Sequence, residues 1–384
     1  MRPTSFSADR DRSKTPAPAL DSTRLPLTRA RDDDDFQSAM LEGVSRTFAL
    51  TIPQLPADLA RVVSNAYLLC RIVDTIEDEP RISAADKDYF CRQFLRAFDE
   101  RAAAEAFAGQ LGAALSGRTL PAEHELIRNV PRVVQITQSF SEPQREALRL
   151  CVRTMARGMA EFQLNGAHHG LKSMDELDRY CYFVAGVVGQ MLTRLFCLHS
   201  PEIAERREAL MPLAVSFGQG LQMTNILKDV WEDYDAGFCW LPRDVFAEEG
   251  CELADLPGAR NRQGFERGVR RLIGVSQAHL RNAVAYSLLI PRQETGIRKF
   301  CLWAVGLAVL TLRKINRHVD YTNGGQVKIS RLSVKGTILA TGLTLQNDGL
   351  LTLLFSLAAR GLPPPPASTL RTSAAASDCR AGMY

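Results

Sequence analysis

The sequence predicts an all-α single domain, and three observations carry that expectation. Apolar residues recur at steps of three and four along nearly the whole of residues 36–360. Alternating apolar and polar runs of the kind a half-buried strand needs are scarce. The segments between periodic stretches, such as Gly166 to Gly170 and Tyr321 to Gly325, read as short helix-to-helix loops.

Taken in order, residues 1–35 form an N-terminal tail. Seven basic residues stand among Asp9, Asp11, Asp21 and scattered Ser, Thr and Pro up to residue 31, with no apolar core for a secretory signal. Such composition reads as disorder. The acidic run Asp32 to Asp35 then reads as solvated charge before the first helix, favourable at its N-terminus. Residues 56–79 give the clearest helix: Leu59, Val62, Val63, Ala66, Leu69, Val73 and Ile76 share a stripe, Pro56 suits the first turn and Pro80 stops it. Similar runs lie near 84–107, 141–165, 175–199, 203–235, 264–288 and 293–320, for about ten helices in all. Phe300 to Leu312 is the longest apolar run. Thirteen residues fall short of the ~20 a bilayer needs, so it reads as a buried core helix. Residues 337–358 are apolar but broken by Gln346, Asn347 and Asp348. No transmembrane helix is expected, and peripheral membrane contact is left open. Residues 361–384, with Pro363 to Pro366, read as a second disordered tail.

Composition bounds the function classes. The chain has 384 residues, 46% hydrophobic and 23% charged, which excludes a mostly disordered chain or a fibre. A net charge of +4 gives no argument for a nucleic-acid partner. The nine cysteines form no CxxC pair and mostly sit in apolar stretches, so they read as free buried thiols. His168 and His169 lack the spacing of a zinc site and read as ordinary loop or core histidines.

The chemistry lies in one motif that occurs twice. Residues 74–78 read Asp-Thr-Ile-Glu-Asp and residues 229–233 read Asp-Val-Trp-Glu-Asp, both DxxED on helical stretches. Positions i, i+3 and i+4 share a helix face, so Asp74, Glu77 and Asp78 form one carboxylate cluster and Asp229, Glu232 and Asp233 another. With each acid at about 1 position in 16, one DxxED arises by chance about one time in ten, and two far more rarely. Exposed charged faces are the bland alternative, and the apolar neighbours weigh against it. Gln222 and Asn225 extend the second cluster into a polar stripe among Leu221, Ile226, Leu227, Val230 and Trp231. Buried carboxylates are costly unless a cation neutralises them, and hard oxygen ligands suit Mg²⁺ bridging to a phosphate. Arg71 and Lys228 add positive charge beside the two clusters. A third element, Tyr180 to Gly189, places Ala185, Gly186 and Gly189 in a helix at a cost in propensity. These glycines allow close approach by another helix or by a ligand. Tyr180 carries the one polar group there that can move a proton.

Together these pieces resemble the squalene/phytoene synthase family. Ser45-Arg46-Thr47-Phe48 is similar to its Ser-Arg-(Ser/Thr)-Phe start, and Tyr67 to Asp78 to its Tyr-x-x-x-Arg-x-x-Asp-x-x-Glu-Asp helix. Tyr180 to Gly189 and Gln222-x-x-Asn225-Ile226-x-x-Asp229-x-x-Glu232-Asp233 complete the likeness, which covers about residues 40–330. Within the family the first motif, Phe300-Cys301 and Val327-Lys328-Ile329 look more like the squalene synthase branch than the phytoene synthase branch. The chain departs at Ser330, where Arg is expected before Arg331, and at Lys228, where Arg is usual. The absence of the C-terminal anchor of eukaryotic members suggests a bacterial-type soluble form.

The resemblance implies a helical isoprenoid synthase fold with a central cavity and a cytoplasmic monomer, with peripheral membrane contact left open. It implies condensation of two farnesyl diphosphates through presqualene diphosphate, followed by NADPH-dependent reduction to squalene. Phytoene, dehydrosqualene or hydroxysqualene synthesis is the sister alternative. A non-catalytic relative would have lost the six carboxylates, and a head-to-tail synthase would want DDxxD. The implied metal ligands for Mg²⁺ are Asp74, Glu77, Asp78, Asn225, Asp229, Glu232 and Asp233. Ser45, Arg46, Arg71, Phe183, Val184, Gln222 and Lys228 would bind substrate. Arg46, Arg71, Lys228, Lys328 and Arg331 would meet NADPH. Tyr180, Tyr67, Phe48 and Phe300 would serve the cationic chemistry. No GxGxxG is present, so any NADPH site is not of Rossmann type.

Overall fold

The acidic run at 32–35 is where the first helix begins. In the computed structural model, which describes residues 32–163, 170–254 and 262–365, Asp32 caps α1 (Asp33–Val44) by accepting the Asp35 amide at 2.8 Å. The other three aspartates sit in its first turn, at the positive end of the helix dipole. Arg61 and Arg132 answer Asp33 at 3.6 and 3.2 Å. The helix thus starts inside the run rather than after it. The expectations for residues 1–31, 366–384, His168, His169 and Cys379 lie outside the described residues. The eight described cysteines are free, and all but Cys197 are buried.

Ser45 caps α2 (Arg46–Thr51), its hydroxyl accepting the Phe48 amide at 3.1 Å. Helix α3 (Ala57–Asp78) runs as the sequence predicts, from Pro56 to just before Pro80. The run expected at 84–107 divides into α4 (Ala84–Ala97) and α5 (Arg101–Ala114). Two helices too short to show a full period, α6 (Pro121–Arg128) and α7 (Val130–Gln138), follow, each with proline in its first turn. Next come α8 (Glu142–Gln163) and α9 (Met174–Cys181), which passes through one π-helical turn at Tyr182–Gly186 into α10 (Val187–His199). The order closes with α11 (Pro201–Ala204), α12 (Arg207–Asp235), α13 (Arg243–Glu248), α14 (Arg262–Leu289), α15 (Thr295–Arg317), α16 (Gly324–Val327), α17 (Arg331–Thr344) and α18 (Asp348–Ala358). Eighteen helices therefore stand among the described residues, where about ten were expected. They contain no strand, only an isolated bridge between Leu171 and Pro242.

The long helices pack in a ring. Helix α3 lies on α8, α8 on α10, α10 on α12, α12 on α14 and α15, and α15 returns to α2 beside α3. This arrangement sets the C-terminal turns of α3 and α12 near one another, and those turns carry the two acidic motifs. Two stretches are long and apolar enough to cross a membrane. Thr295–Arg317 is a core helix, with 78% of its most apolar window buried. Met174–His199, which matches the run expected at 175–199, is 39% buried over its window. It lies between α8 and α12, and its half-buried Phe183, Val184 and Val188 pack on the core.

The glycines of α10 serve a helix crossing. A Cβ on Gly189 would stand 2.1 Å from the Ala214 carbonyl oxygen, and one on Gly218 would stand 2.1 Å from that of Ala185. Only hydrogen fits at either point, and both opposing atoms are backbone. Of the two uses the sequence left open, close approach by a helix is the one realised. Gly218→Ala is expected to cost about 1–3 kcal/mol as the helices are forced apart. Thermal unfolding should show a melting temperature lower by several degrees; an unchanged value would contradict the crossing.

Candidate active site

Both acidic motifs end their helices, and there the helix dipole is unfavourable to them. Asp74, Glu77 and Asp78 close α3, and Asp229, Glu232 and Asp233 close α12, with no basic residue in either last turn. Helix C-termini carry partial negative charge and prefer cations. Burial compounds the cost: it pushes the Asp74 carboxyl up to about 7, with Asp78 and Glu123 adding to the rise and Arg71 opposing it. The Asp233 carboxyl is likewise pushed up to about 7 by burial, Asp229, Asp78 and Glu232. Glu77 is 5% exposed and rises well above its ordinary value through burial, then Asp78 and Asp74, with Asp233 contributing. Asp78 is exposed, yet its enclosed setting still raises it. The mutual influence of Glu77 and Asp78 with Asp233 brings the two motifs into one electrostatic site.

The local cations are partly committed. Arg71 pairs with Asp74 at 3.7 Å and also holds Glu123. Lys228 pairs with Asp229 at 2.7 Å. Glu232 turns aside to accept the Gly324 amide at 2.7 Å at the start of α16. Gly324 permits this, because a Cβ there would crowd the Lys228 carbonyl at 2.9 Å. Asn225 is exposed and Gln222 half-buried, one and two turns before Asp229.

Tyr180 faces the acids from α9. It is 4% exposed, and its phenol is held well above its ordinary range by burial and then by Glu77, Asp78, Cys181 and Asp233. Its ring stacks on Trp240 at 4.2 Å and 9°, and Trp240 stacks on Phe238 at 5.8 Å and 3°. The Lys87 ammonium stands 5.7 Å from the Phe238 ring and donates to the Glu77 carbonyl. Lys87 is 5% exposed; burial lowers its affinity for the proton, while Glu77, Asp78 and Glu79 raise it. This buried lysine caps the end of α3 directly under the first motif. Sequence reasoning missed Lys87, Phe238 and Trp240. The available signal for Lys87 was its position, one turn before Phe90 and Cys91 on the apolar face of α4.

A second aromatic group lies beside Arg71. Tyr67 stands 5.0 Å from Phe48, and Phe48 stands 6.5 Å from Phe300. The Tyr67 hydroxyl donates to the Val44 carbonyl at 3.4 Å, and burial raises its phenol while Ser45 and Arg71 oppose the rise. Phe183 and Val184 are half-buried on the π-helical turn, Phe183 lying 6.3 Å from Phe162. Tyr321, also missed from sequence, donates to the Leu227 carbonyl and feels Asp229 and Glu232. The Arg46 side chain lies outside the described part. Lys328 and Arg331 are exposed after α16, and Ser330 is spent as the cap of α17, accepting the Ser333 amide at 3.1 Å.

The donor set fits a hard divalent cation. The Glu77 Oε1 atom is buried with no hydrogen-bond partner, and the clustered acids are ones that only added positive charge would ionise cheaply. Among the described residues no three acidic, His or Cys side chains converge on one point as a closed ion cage. Mg²⁺ is held through one or two carboxylates, with water and substrate phosphates completing its shell.

The family model described as squalene/phytoene synthase matches residues 41–333. A Botryococcus braunii protein named Botryococcus squalene synthase is 30% identical over 282 residues, 72% of this chain and 57% of its own. A probable squalene synthase of Neurospora crassa is 28% identical over 285 residues, 72% of this chain and 56% of its own. The chain thus spans little more than half the length of these curated relatives. A solved structure of TcSQS with a ligand superposes with TM-score 0.70 at 21% identity, over 84% of this chain and 90% of that one. A ligand-bound dehydrosqualene synthase gives 0.52 at 20% identity, over 84% and 96%. These structures share the fold.

The raised carboxyls have a consequence for stability. A folded-state value near 7 for Asp233 against about 4 in the unfolded chain means that ionisation opposes folding. Its stability cost is absent below pH ~4, grows with rising pH and is complete above ~7. Asp233→Asn should therefore melt several degrees above the parent at pH 8 and close to it at pH 4, measured without divalent cations. A variant that melts below the parent at pH 8 would contradict the electrostatic account.

Proposed function

Because the chain belongs to the squalene/phytoene synthase family, we propose that it is a squalene synthase, joining two farnesyl diphosphates head to head and reducing the product with NADPH. The observation that carries this reading is the pairing of two acid-bearing helix ends across one enclosed site with Tyr180 beside them. The names of the relatives from Botryococcus braunii and Neurospora crassa support it.

In this reading Asp74, Glu77, Asp78, Asp229 and Asp233 hold Mg²⁺ through their oxygens, Asn225 and Glu232 complete the polar rim, and Arg71 and Lys228 contact the diphosphates. Bound Mg²⁺ would supply Lewis-acid neutralisation of the diphosphate leaving groups. Phe48, Tyr67, Phe300, Phe183 and Val184 keep water from the allylic cations, and the aromatic rings stabilise positive charge by their faces. Ser45 and Gln222 orient the diphosphate end. Tyr180 stays a neutral phenol, so its oxygen takes the proton lost on cyclopropane closure only while passing its own to another oxygen. NADPH would supply the hydride that ends the sequence, with Lys328 and Arg331, exposed cations beside α16, and Arg46 meeting its phosphates. One observation favours the sister reading without reduction: Ser330 caps a helix where the family's reducing branch has arginine, which removes one cation from that surface.

Incubation with farnesyl diphosphate, Mg²⁺ and NADPH should yield squalene by gas chromatography, and omission of NADPH should leave unreduced products. Asp74→Ala or Asp229→Ala should abolish turnover with helical content intact. Tyr180→Phe should slow presqualene diphosphate formation by roughly 10²–10⁴-fold. Full activity in both aspartate variants would overturn the metal assignment, and a non-reduced product with NADPH present would favour the sister reading.

A further inference from the structure

We propose that the helical pair α17–α18 is a docking surface for an anionic lipid bilayer. On α17 the outward face carries Leu332, Leu339 and Leu343, 79%, 64% and 78% exposed. They recur at steps of seven and four, so they share a stripe with Lys335. On α18, Leu350, Leu353 and Leu357 are 48%, 54% and 54% exposed, at steps of three and four. The other large apolar side chains this exposed among the described residues, Tyr89, Leu120 and Leu198, are scattered singly over the molecule. The fold does not need the six leucines. The pair is fastened to α15 by its opposite face, through buried Thr341, Leu345, Leu351 and Phe355. An outward leucine row on two adjacent helices is an apolar patch of the kind that marks an interaction surface.

The charge around the patch selects the occupant. Between residues 328 and 360 the basic residues are Lys328, Arg331, Lys335 and Arg360, and the single acid is Asp348. Asp348 is already held by Arg292 at 2.7 Å and by the buried Arg298. Hydrogen bonds from these two arginines outweigh the effect of burial and keep its carboxyl below its ordinary range. The surface therefore offers leucines and cations with no uncommitted carboxylate. A second copy docked through the same face would set cations against cations. An anionic headgroup layer answers them, and its acyl boundary accepts the leucines, as for interfacial helices. The inference stands apart from the catalytic reading.

The test is flotation of the full chain with phosphatidylcholine vesicles, with and without phosphatidylglycerol. Binding is expected to the mixed vesicles and to weaken with salt and on pure phosphatidylcholine. Leu339→Ser/Leu343→Ser should reduce binding by roughly tenfold or more, and Lys335→Glu by roughly tenfold on anionic vesicles. Thermal melting should be little changed in both, because these side chains are largely exposed. Failure of the parent to float with anionic vesicles, indifference to phosphatidylglycerol, or undiminished binding of the leucine variant would overturn the proposal. So would a leucine-dependent dimer in sedimentation equilibrium without vesicle binding.

Discussion

The arrangement depends on uncompensated negative charge. Two helices each end on three acids, at the pole of the helix that repels them and in surroundings that resist their ionisation. Arg71 and Lys228 soften the repulsion without removing it, because Arg71 is shared with Glu123 and each motif still brings three acids. Natural sequences seldom keep such a cost without a use, and strongly raised carboxyls gathered together are a signature of functional sites. The missing partner is positive charge, which in the proposed reading a divalent ion and its diphosphate ligand would bring.

The rest of the fold reads as support for those two turns. Lys87 closes the last turn of α3 from below, and the slab of Phe238, Trp240 and Tyr180 extends from that lysine to the phenol. Gly189 and Gly218 let α10 and α12 approach until backbone meets backbone, which fixes where the second motif lies relative to Tyr180. Gly324 lets the turn before α16 close on Glu232. The surroundings of Arg71 are aromatic, so apolar packing there meets the demand that the proposed cationic chemistry would make.

Much of this was legible in the chain because it is local. The i, i+3, i+4 spacing of each motif, the stop at Pro80 and the stripe along 56–79 are set within one helix, where sequence distance and spatial distance agree. The acids followed from the spacing of their motif, whereas the aromatic trio Phe48, Tyr67 and Phe300 was singled out only by the resemblance to the family. What stayed hidden was tertiary. Nothing near Trp240 in sequence says that it lies on Tyr180, and Lys87 looks like one charge among several until α4 packs against the end of α3. Helices α6 and α7 are too short to display a period. The run at 175–199 was legible, but the π-helical turn inside it at Tyr182–Gly186 was not. Ser330, a departure from the family pattern, has a plain local use as a helix cap.

The central claim, that the two acid turns grip one set of diphosphate-bound ions, is tested most directly by a crystal structure with Mn²⁺ and inorganic pyrophosphate. Anomalous scattering should locate metal between the ends of α3 and α12, touching Asp74 or Asp78 on one side and Asp229 or Asp233 on the other. Metal bound elsewhere, or to one turn with the other facing bulk water, would contradict it.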